Sequence, residues 1–248
     1  MKFIGIIPAR YASTRLPGKP LIDILGKPMI QWVYERSVQA LDTVFVATDN
    51  KRILNVVHGF GGNAVMTSKK HKSGTDRCSE AVEIISEMLS EKFDIIINIQ
   101  GDEPFVFPEQ INAIKKCFKS SKTQIATLVK PINNSHDIFD SSKPKVVINK
   151  NKEAIYFSRS PIPYIREADK KEWIKYNFYK HIGLYAYRYD ILKKITALKP
   201  GFLEKCESLE QLRWIENGYK IKVDFTEYES ISIDTKKDLQ KLKQASLL

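Results

Sequence analysis

Short apolar runs alternate with segments of helical spacing along the first half of the chain. Five runs are rich in apolar and β-branched residues and predict buried strands: 3–7, 43–47, 63–67, 94–99 and 124–129. Apolar residues recur at helical intervals in other segments and predict helices: 29–40, 76–89 and 108–118. Strand and helix therefore follow each other in the βα rhythm that is typical of parallel α/β sheets.

The rhythm breaks in the second half of the chain. Two β-like runs, 145–149 and 154–157, are separated by four polar residues and predict a hairpin. A Pro-rich segment follows at 158–164, and residues 180–188 alternate as a strand does. We predict an excursion over about residues 131–188, whose exposed aromatic and Pro-rich part is a candidate dimer contact.

The C-terminal part of the chain returns to regular elements. Residues 206–217 predict a helix and residues 220–225 a strand, and 236–247 predict a final amphipathic helix. With 248 residues, the chain is long enough for one α/β domain with a sizeable core, so we predict a single domain over 1–248 with the excursion inside it.

Composition limits the class of protein. The chain is 43% hydrophobic and 28% charged, as globular proteins are, and no apolar run approaches the roughly 20 residues that cross a bilayer. The apolar start at 3–7 is too short for a signal peptide. We expect a cytoplasmic protein without membrane association. Cys78, Cys117 and Cys206 form no C-x-x-C pair, so neither disulfides nor a zinc site is predicted.

Charge indicates the kind of ligand. The net charge of +11 favours an anionic partner, which is either a nucleic acid or a small polyanionic substrate. Basic residues are scattered and form no recognised nucleic-acid motif, so we favour the small substrate. The four histidines lack zinc-site spacing, and any bound metal should therefore be a hard cation held by carboxylates.

A basic loop follows the first predicted strand. Pro8, Pro17, Gly18 and Pro20 bend it, and it carries three cations: Arg10, Arg15 and Lys19. Arg can fork onto phosphate oxygens and Lys can add a point charge, so the loop is a candidate polyphosphate site. A solvated basic surface loop is the alternative that composition leaves open.

The segment 8–20, Pro-Ala-Arg-Tyr-Ala-Ser-Thr-Arg-Leu-Pro-Gly-Lys-Pro, resembles the signature of the sugar-nucleotide cytidylyltransferases. Its form is most similar to that of members that activate 3-deoxy-manno-octulosonate (Kdo) with CTP, giving CMP-Kdo and pyrophosphate for lipopolysaccharide biosynthesis. The resemblance implies a doubly wound, mainly parallel α/β sheet with an inserted antiparallel region for dimerisation. It also implies a homodimer that uses Mg²⁺ and two small-molecule substrates, CTP and Kdo.

The resemblance implies roles around the nucleotide. Arg10, Arg15 and Lys19 would hold the triphosphate and act with Asp102 in catalysis, and the Ser-Gly-Thr-Asp-Arg segment at 73–77 would line the base or ribose. The nucleotide-binding residues it implies are Ala9, Arg10, Ser13, Arg15, Lys19, Ser73 and Arg77. From the residues alone, Thr75 is a candidate N-cap for a helix that begins at about Asp76.

Gln100-Gly-Asp-Glu-Pro follows the buried run 94–99. Ligands of parallel α/β sheets bind at the carboxyl ends of strands, although this segment is also a plausible strand-to-helix turn. The resemblance implies that Asp102 and Asp234 are the two magnesium ligands. As an alternative, Asp234 caps the final helix.

The resemblance also implies a Kdo site. Its residues are Gln100, Arg159, His181, Tyr185, Glu210 and Gln211. Arg159 is the candidate partner of the Kdo carboxylate, because a guanidinium matches a carboxylate with two parallel hydrogen bonds. The structural alternatives are that Arg159 fixes the Pro-rich segment, that a lone His is a satisfied strand residue and that the charged helix residues face solvent.

Two rival functions remain at this point. One is a cytidylyltransferase for another acidic sugar, such as 8-amino-Kdo or sialic acid. The other is a nucleotide-binding protein without turnover, which the presence of both carboxylates and all three cations disfavours.

Overall fold

The computed structural model describes residues 1–12, 16–229, 232–233, 235 and 238–239. The predictions for Ser13, Arg15, Asp234 and most of the final helix therefore lie outside the described residues. The chain divides into two compact units, one formed by 1–111 with 230–248 and the other by 112–229. The predicted excursion at 131–188 lies within the second unit.

Among its described residues, the first unit contains short strands and helices. They are β1 (Phe3–Ala9), β2 (Asp23–Ile24), β3 (Lys27–Pro28), α1 (Met29–Ser37), β4 (Val44–Thr48), α2 (Lys51–Gly59), β5 (Ala64–Met66), α3 (Gly74–Leu89), β6 (Ile95–Asn98) and the start of α4 (Pro108–Cys117). The basic loop ends in a single turn of 3₁₀-helix at Lys19–Leu21.

The sheet of the first unit is parallel. β1 pairs with β4 on one side and with β6 on the other, and β5 pairs with β4. Every residue of β4 and of β6 is buried, as the apolar runs predicted. The predicted fold class, a mainly parallel α/β sheet with helices, is confirmed.

The N-terminus of α3 corrects one prediction. The helix begins at Gly74, and its N-cap is Ser73 and not Thr75. Ser73 Oγ accepts from Asp76 N at 3.0 Å, and the Asp76 carboxylate accepts from Ser73 N at 3.3 Å. This capping box satisfies two otherwise unpaired N–H groups, which a cap at Thr75 would not do.

The second unit is a mixed sheet with short helices. Its elements are β7 (Ile125–Pro131), α5 (Ser135–Phe139), β8 (Lys145–Ile148), β9 (Ala154–Ser158), β10 (Tyr179–Arg188), α6 (Tyr189–Thr196), α7 (Phe202–Glu207), α8 (Gln211–Glu216) and β11 (Ile221–Phe225). A 3₁₀ segment at Lys170–Lys175 precedes β10.

Strand β7 lies between β10, which is antiparallel to it, and β11, which is parallel. β8 and β9 form the predicted antiparallel hairpin, and β8 also pairs with β10. The register of β10 against β7 shifts between Ile182 and Tyr185, which marks a bulge. The inserted antiparallel region is therefore confirmed.

The predicted continuous helix over 206–217 is wrong. Ser208 has a left-handed backbone with φ 52°, and it separates α7 from α8. Arg213 on α8 donates to both carboxylate oxygens of Glu204 on α7, at 2.7 and 2.6 Å. This bidentate pair holds the two short helices together across the break.

Two further expectations concern the cysteines and membrane-spanning helices. Cys78, Cys117 and Cys206 are all free thiols, so no disulfide joins them. In the described part of the chain, no helix has the length and apolar character needed to cross a bilayer.

Candidate functional site

A cavity of about 250 Å³ opens at the carboxyl ends of β1 and β6. Its wall consists of four short stretches of the first unit together with Arg77: residues 8–10, 19–20, 71–74 and 100–102. β1 and β6 are parallel neighbours, so the segments that leave them, 8–10 and 100–102, meet at one edge of the sheet. Each segment was predicted to follow a buried strand, and the parallel pairing of β1 with β6 brings the two segments together.

Gly101 explains how closely the two strand ends approach. A Cβ atom at this position would lie 2.8 Å from Pro8 O, closer than a side chain can come to a backbone oxygen. Glycine is therefore required here, because any other residue would push 100–102 away from the end of β1.

The basic loop reaches the cavity through Lys19. Gly18 adopts φ 68° and donates its N–H to Tyr11 O at 3.1 Å, which closes the loop. Lys19 is 9% exposed, and its Nζ donates to Asp102 Oδ2 at 2.6 Å. A predicted triphosphate ligand and a predicted metal ligand are thus in direct contact. Ala9 is buried at the end of β1, and Arg10 is exposed beside it.

Arg77 forms part of the wall, but its guanidinium is used within the chain. Nη2 donates to Asp49 Oδ2 at 3.0 Å, and Nη1 donates to Thr67 Oγ1 at 2.6 Å. The residue is 3% exposed. Arg77 therefore braces the ends of β4 and β5, and Ser73 likewise caps α3, so both predicted nucleotide residues also stabilise the scaffold.

His71 and Glu80 are site residues that the sequence reasoning missed. His71 lines the cavity, and its Nε2 is hydrogen-bonded to Glu80 Oε2 on α3. Glu80 Oε2 also accepts from Ser68 N at 2.7 Å. Burial alone would raise the pKa of Glu80, but the hydrogen bonds from Ser68 and His71 lower it, so Glu80 is ionised at neutral pH.

The predicted Kdo residues divide between the two units. Gln100 lines the cavity of the first unit, and the remaining five belong to the second. In the second unit the ring centroids of His181 and Tyr185 are 5.2 Å apart. Burial raises the pKa of Tyr185 most, and the negative charge of Glu210 raises it further. The structure therefore brings His181, Tyr185 and Glu210 into one neighbourhood.

His181 is held by groups that the sequence did not reveal. Its Nε2 is 3.1 Å from Thr127 Oγ1 on β7, and the ring of Phe157 packs edge-on against it at 5.2 Å. Burial disfavours the charged imidazolium and lowers the pKa of His181 to about 3. The ring is therefore neutral at physiological pH and works as a hydrogen-bonding group rather than as a cation.

Gln211 and Trp214 lie on α8 of the second unit. Gln211 is 5% exposed, and neither its Nε2 nor Trp214 Nε1 has a hydrogen-bond partner among the described residues. The Trp214 ring packs edge-on against Tyr185 at 5.2 Å. Buried donors without partners are costly, so these two atoms mark a place where a polar ligand would be stabilised.

Arg159 makes contacts that fit its structural alternative. Its Nε donates to Glu207 O at 2.7 Å, and its Nη1 donates to Ser141 O at 3.1 Å. Nη2 lies 3.4 Å from Ser208 O. The guanidinium thus holds carbonyls at the end of α7, and its predicted contact with a sugar carboxylate stays a prediction.

Comparison with known proteins gives consistent matches. A sequence model described as cytidylyltransferase matches residues 4–222. The 3-deoxy-manno-octulosonate cytidylyltransferase of Parabacteroides distasonis is 62% identical over 97% of this chain and 96% of its own. The protein of the same name from Bacteroides thetaiotaomicron is 57% identical over the same shares.

A solved structure matches over almost the whole chain. It is that of a CMP:2-keto-3-deoxy-manno-octonic acid synthetase complexed with CTP, with a TM-score of 0.89 and 42% identity. The match covers 99% of this chain and 98% of the other.

Proposed function

Because this chain belongs to the cytidylyltransferase family, we propose that it transfers the cytidylyl group of CTP to Kdo, giving CMP-Kdo and pyrophosphate. The observation that carries this proposal is the cavity at the ends of β1 and β6, which Arg10 lines and in which Lys19 contacts Asp102. It supplies cations for a triphosphate and a carboxylate for a metal in one place. The names of the most similar relatives support Kdo as the acceptor.

The reaction is a displacement at phosphorus. The anomeric hydroxyl of Kdo attacks the α-phosphorus of CTP, the bond to the β-phosphate oxygen breaks, and the hydroxyl proton passes to solvent or to a base. Positioning and charge neutralisation account for most of the catalysis in such transfers. In our proposal Arg10, Arg15 and Lys19 bind the triphosphate and neutralise the leaving pyrophosphate.

Asp102 fits a magnesium site. Its carboxylate lines the cavity and offers oxygen ligands to a metal ion. One of these oxygens, Oδ2, already contacts a cation, the Lys19 ammonium, at 2.6 Å. Mg²⁺ in nucleotide enzymes is bound by one or two carboxylates together with substrate phosphates. We propose Asp102 and Asp234 as the two carboxylates. Bound there, the ion would polarise the α-phosphate and lower the pKa of the attacking hydroxyl.

The acceptor site is proposed from residues of the second unit, and Gln100, which lines the cavity of the first unit, stays a predicted Kdo residue. Neutral His181 and the buried Nε2 of Gln211 offer hydrogen bonds to sugar hydroxyls, and Tyr185 and Glu210 lie near them. Tyr185 and Trp214 add apolar ring surface. Arg159 is retained as the candidate partner of the Kdo carboxylate, in addition to its contacts at the end of α7.

Assembly and cellular role complete the proposal. Tyr164 is 74% exposed and packs against Trp173 at the surface of the predicted excursion, which supports a homodimer contact there. We place the enzyme in the cytoplasm, where CTP is made, with its product used for lipopolysaccharide.

Pyrophosphate release from CTP, Mg²⁺ and Kdo tests the proposal directly. We expect turnover with CTP and Kdo, and far less with UTP, ATP or GTP and with sialic acid. Higher turnover with 8-amino-Kdo or sialic acid than with Kdo would show that the acceptor is that other acidic sugar. Nucleotide binding without pyrophosphate release with any of these sugars would contradict the enzymatic proposal.

A further inference from the structure

CTP and UTP differ at one edge of the base. Cytosine carries a 4-amino group, which donates hydrogen bonds, where uracil carries a carbonyl oxygen, which accepts them. At position 4, a group of fixed polarity distinguishes the two bases, and for cytosine that group must be an acceptor.

Most side chains that line the cavity cannot meet this need. Four of them only donate: Arg10, Lys19, Lys72 and Arg77. Ser73 Oγ is the α3 cap, and a hydroxyl is in any case both donor and acceptor. The Gln100 amide also has both groups and can turn to suit either base. Asp102 is an acceptor, but it is paired with Lys19.

His71 has the required polarity because Glu80 determines its tautomer. The ionised Glu80 carboxylate only accepts, so Nε2 of His71 must carry the hydrogen of their contact. In the neutral imidazole, Nδ1 is then an acceptor, and no hydrogen bond to Nδ1 is present among the described residues. Ser68 N fixes Glu80 Oε2 from a second direction, which limits rotation of the pair.

The position of His71 fits the nucleoside end of the ligand. His71 precedes Ser73 by two residues, whereas the proposed triphosphate groups, Arg10 and Lys19, follow β1. Arg77, which the resemblance assigned to the base or ribose, uses its guanidinium on Asp49 and Thr67. His71 is therefore the side chain of this stretch that retains an acceptor of fixed polarity for the base.

We propose that His71 is a specificity-determining residue that accepts a hydrogen bond from the 4-amino group of cytosine through Nδ1, with Glu80 as its positioning residue. This inference rests on the proposed function, because it takes CTP as the nucleotide. In the same geometry, uracil would place its carbonyl oxygen against the Nδ1 lone pair.

The test is equilibrium binding of CTP and of UTP by calorimetry at pH 8, where ordinary imidazole side chains are uncharged, without Kdo. We expect the wild type to prefer CTP, and His71→Ala to lose roughly 10- to 100-fold of that preference. His71→Asn, whose amide oxygen can replace Nδ1, should restore part of it. His58→Ala changes an exposed histidine of α2 and is the matched control, which should keep the wild-type ratio.

Glu80 is tested separately. Glu80→Gln keeps an oxygen that accepts from Ser68 N and His71 Nε2, so the preference should be largely retained, whereas Glu80→Leu removes the acceptor and should reduce it. A thermal melt of each variant establishes that it is folded.

The outcomes separate the two proposals. A wild-type CTP-to-UTP ratio in folded His71→Ala overturns the inference, and so does an equal loss of affinity for both nucleotides. A wild-type protein that binds neither nucleotide, or both alike, instead contradicts the proposed use of CTP.

Discussion

Lys19 Nζ lies 2.6 Å from Asp102 Oδ2, so a group proposed to bind triphosphate and a group proposed to bind metal neutralise each other in the free protein. If both ligands bind as proposed, each must disturb this pair. Lys19 would then compete with Mg²⁺ for the same carboxylate oxygen in nucleotide-free protein.

Removal of that competitor should strengthen metal binding. We expect Lys19→Met to bind Mn²⁺, used as a probe for Mg²⁺, about tenfold more tightly in the absence of nucleotide, and to bind CTP more weakly. Titration followed by Mn²⁺ electron paramagnetic resonance measures the first effect. Asp102→Asn is the control that should abolish the site, and an unchanged Mn²⁺ affinity in Lys19→Met would refute the competition.

Loss of either proposed metal carboxylate should remove most turnover. Asp102→Asn and Asp234→Asn are each expected to slow pyrophosphate release by on the order of 100- to 1,000-fold, because transition-state charge is left uncompensated. Asp42→Asn changes an exposed carboxylate of the same unit and should have no effect. Near-wild-type rates at limiting Mg²⁺ in either variant would remove that residue from the proposal.

Arg159→Ala separates two roles. Loss of its bonds to Glu207 O and Ser141 O should lower the free energy of unfolding by about 1–3 kcal/mol. If Arg159 also binds the Kdo carboxylate, KM for Kdo will rise more than KM for CTP. Both KM values and the melting temperature of the variant are measured. Equal changes in KM for Kdo and KM for CTP would show that Arg159 has a structural role only.

His181 makes stability depend on pH in a defined direction. Its pKa is lowered to about 3 in the folded protein, whereas an unfolded His titrates near 6.5. Between these values the unfolded chain binds the extra proton, so His181 contributes a loss of stability as pH falls below about 6.5, at up to about 1.4 kcal/mol per pH unit. Urea unfolding of His181→Asn between pH 7 and pH 4 should show a shallower decline than the wild type. Parallel declines would contradict a buried neutral imidazole.

The three thiols should differ in reactivity. Burial, and then the charge of Asp224, raise the pKa of Cys117 to about 12, so little thiolate is present at pH 8. Cys206 is exposed and Cys78 is buried. We expect iodoacetamide at pH 8 to modify Cys206 first, and Cys206→Ser to abolish the fast phase. Rapid modification of Cys117 in the folded protein would show that its helix opens.

Most of the site that could be predicted from the sequence followed from the positions of the strands. Arg10 and Asp102 follow buried runs, and parallel pairing of β1 and β6 is sufficient to bring them to one edge. The true cap of α3 was also available, because Ser73 and Asp76 have capping-box spacing. The tautomer-fixing contact of His71 and Glu80 was not available, because these residues are nine apart and meet only when a loop folds back along α3.

Two other features depended on the tertiary structure. Thr127 and His181 meet through an antiparallel register interrupted by a bulge, and no spacing along the chain encodes that register. The break at Ser208 requires a positive φ at a residue other than glycine, for which the sequence carries no strong local signal. The helical periodicity of residues 206–217 therefore gave no indication of the break.

The two sides of the cavity differ in the conformational entropy that a ligand would have to remove. Arg77 is already immobilised by Asp49 and Thr67, and His71 by Glu80, so a base that docks against them meets side chains whose rotamers are fixed. On the other side, Lys19 would have to exchange a carboxylate for a phosphate. In the proposed site, preorganised side chains would therefore face the nucleoside, and the exchange of ionic partners would occur at the phosphates.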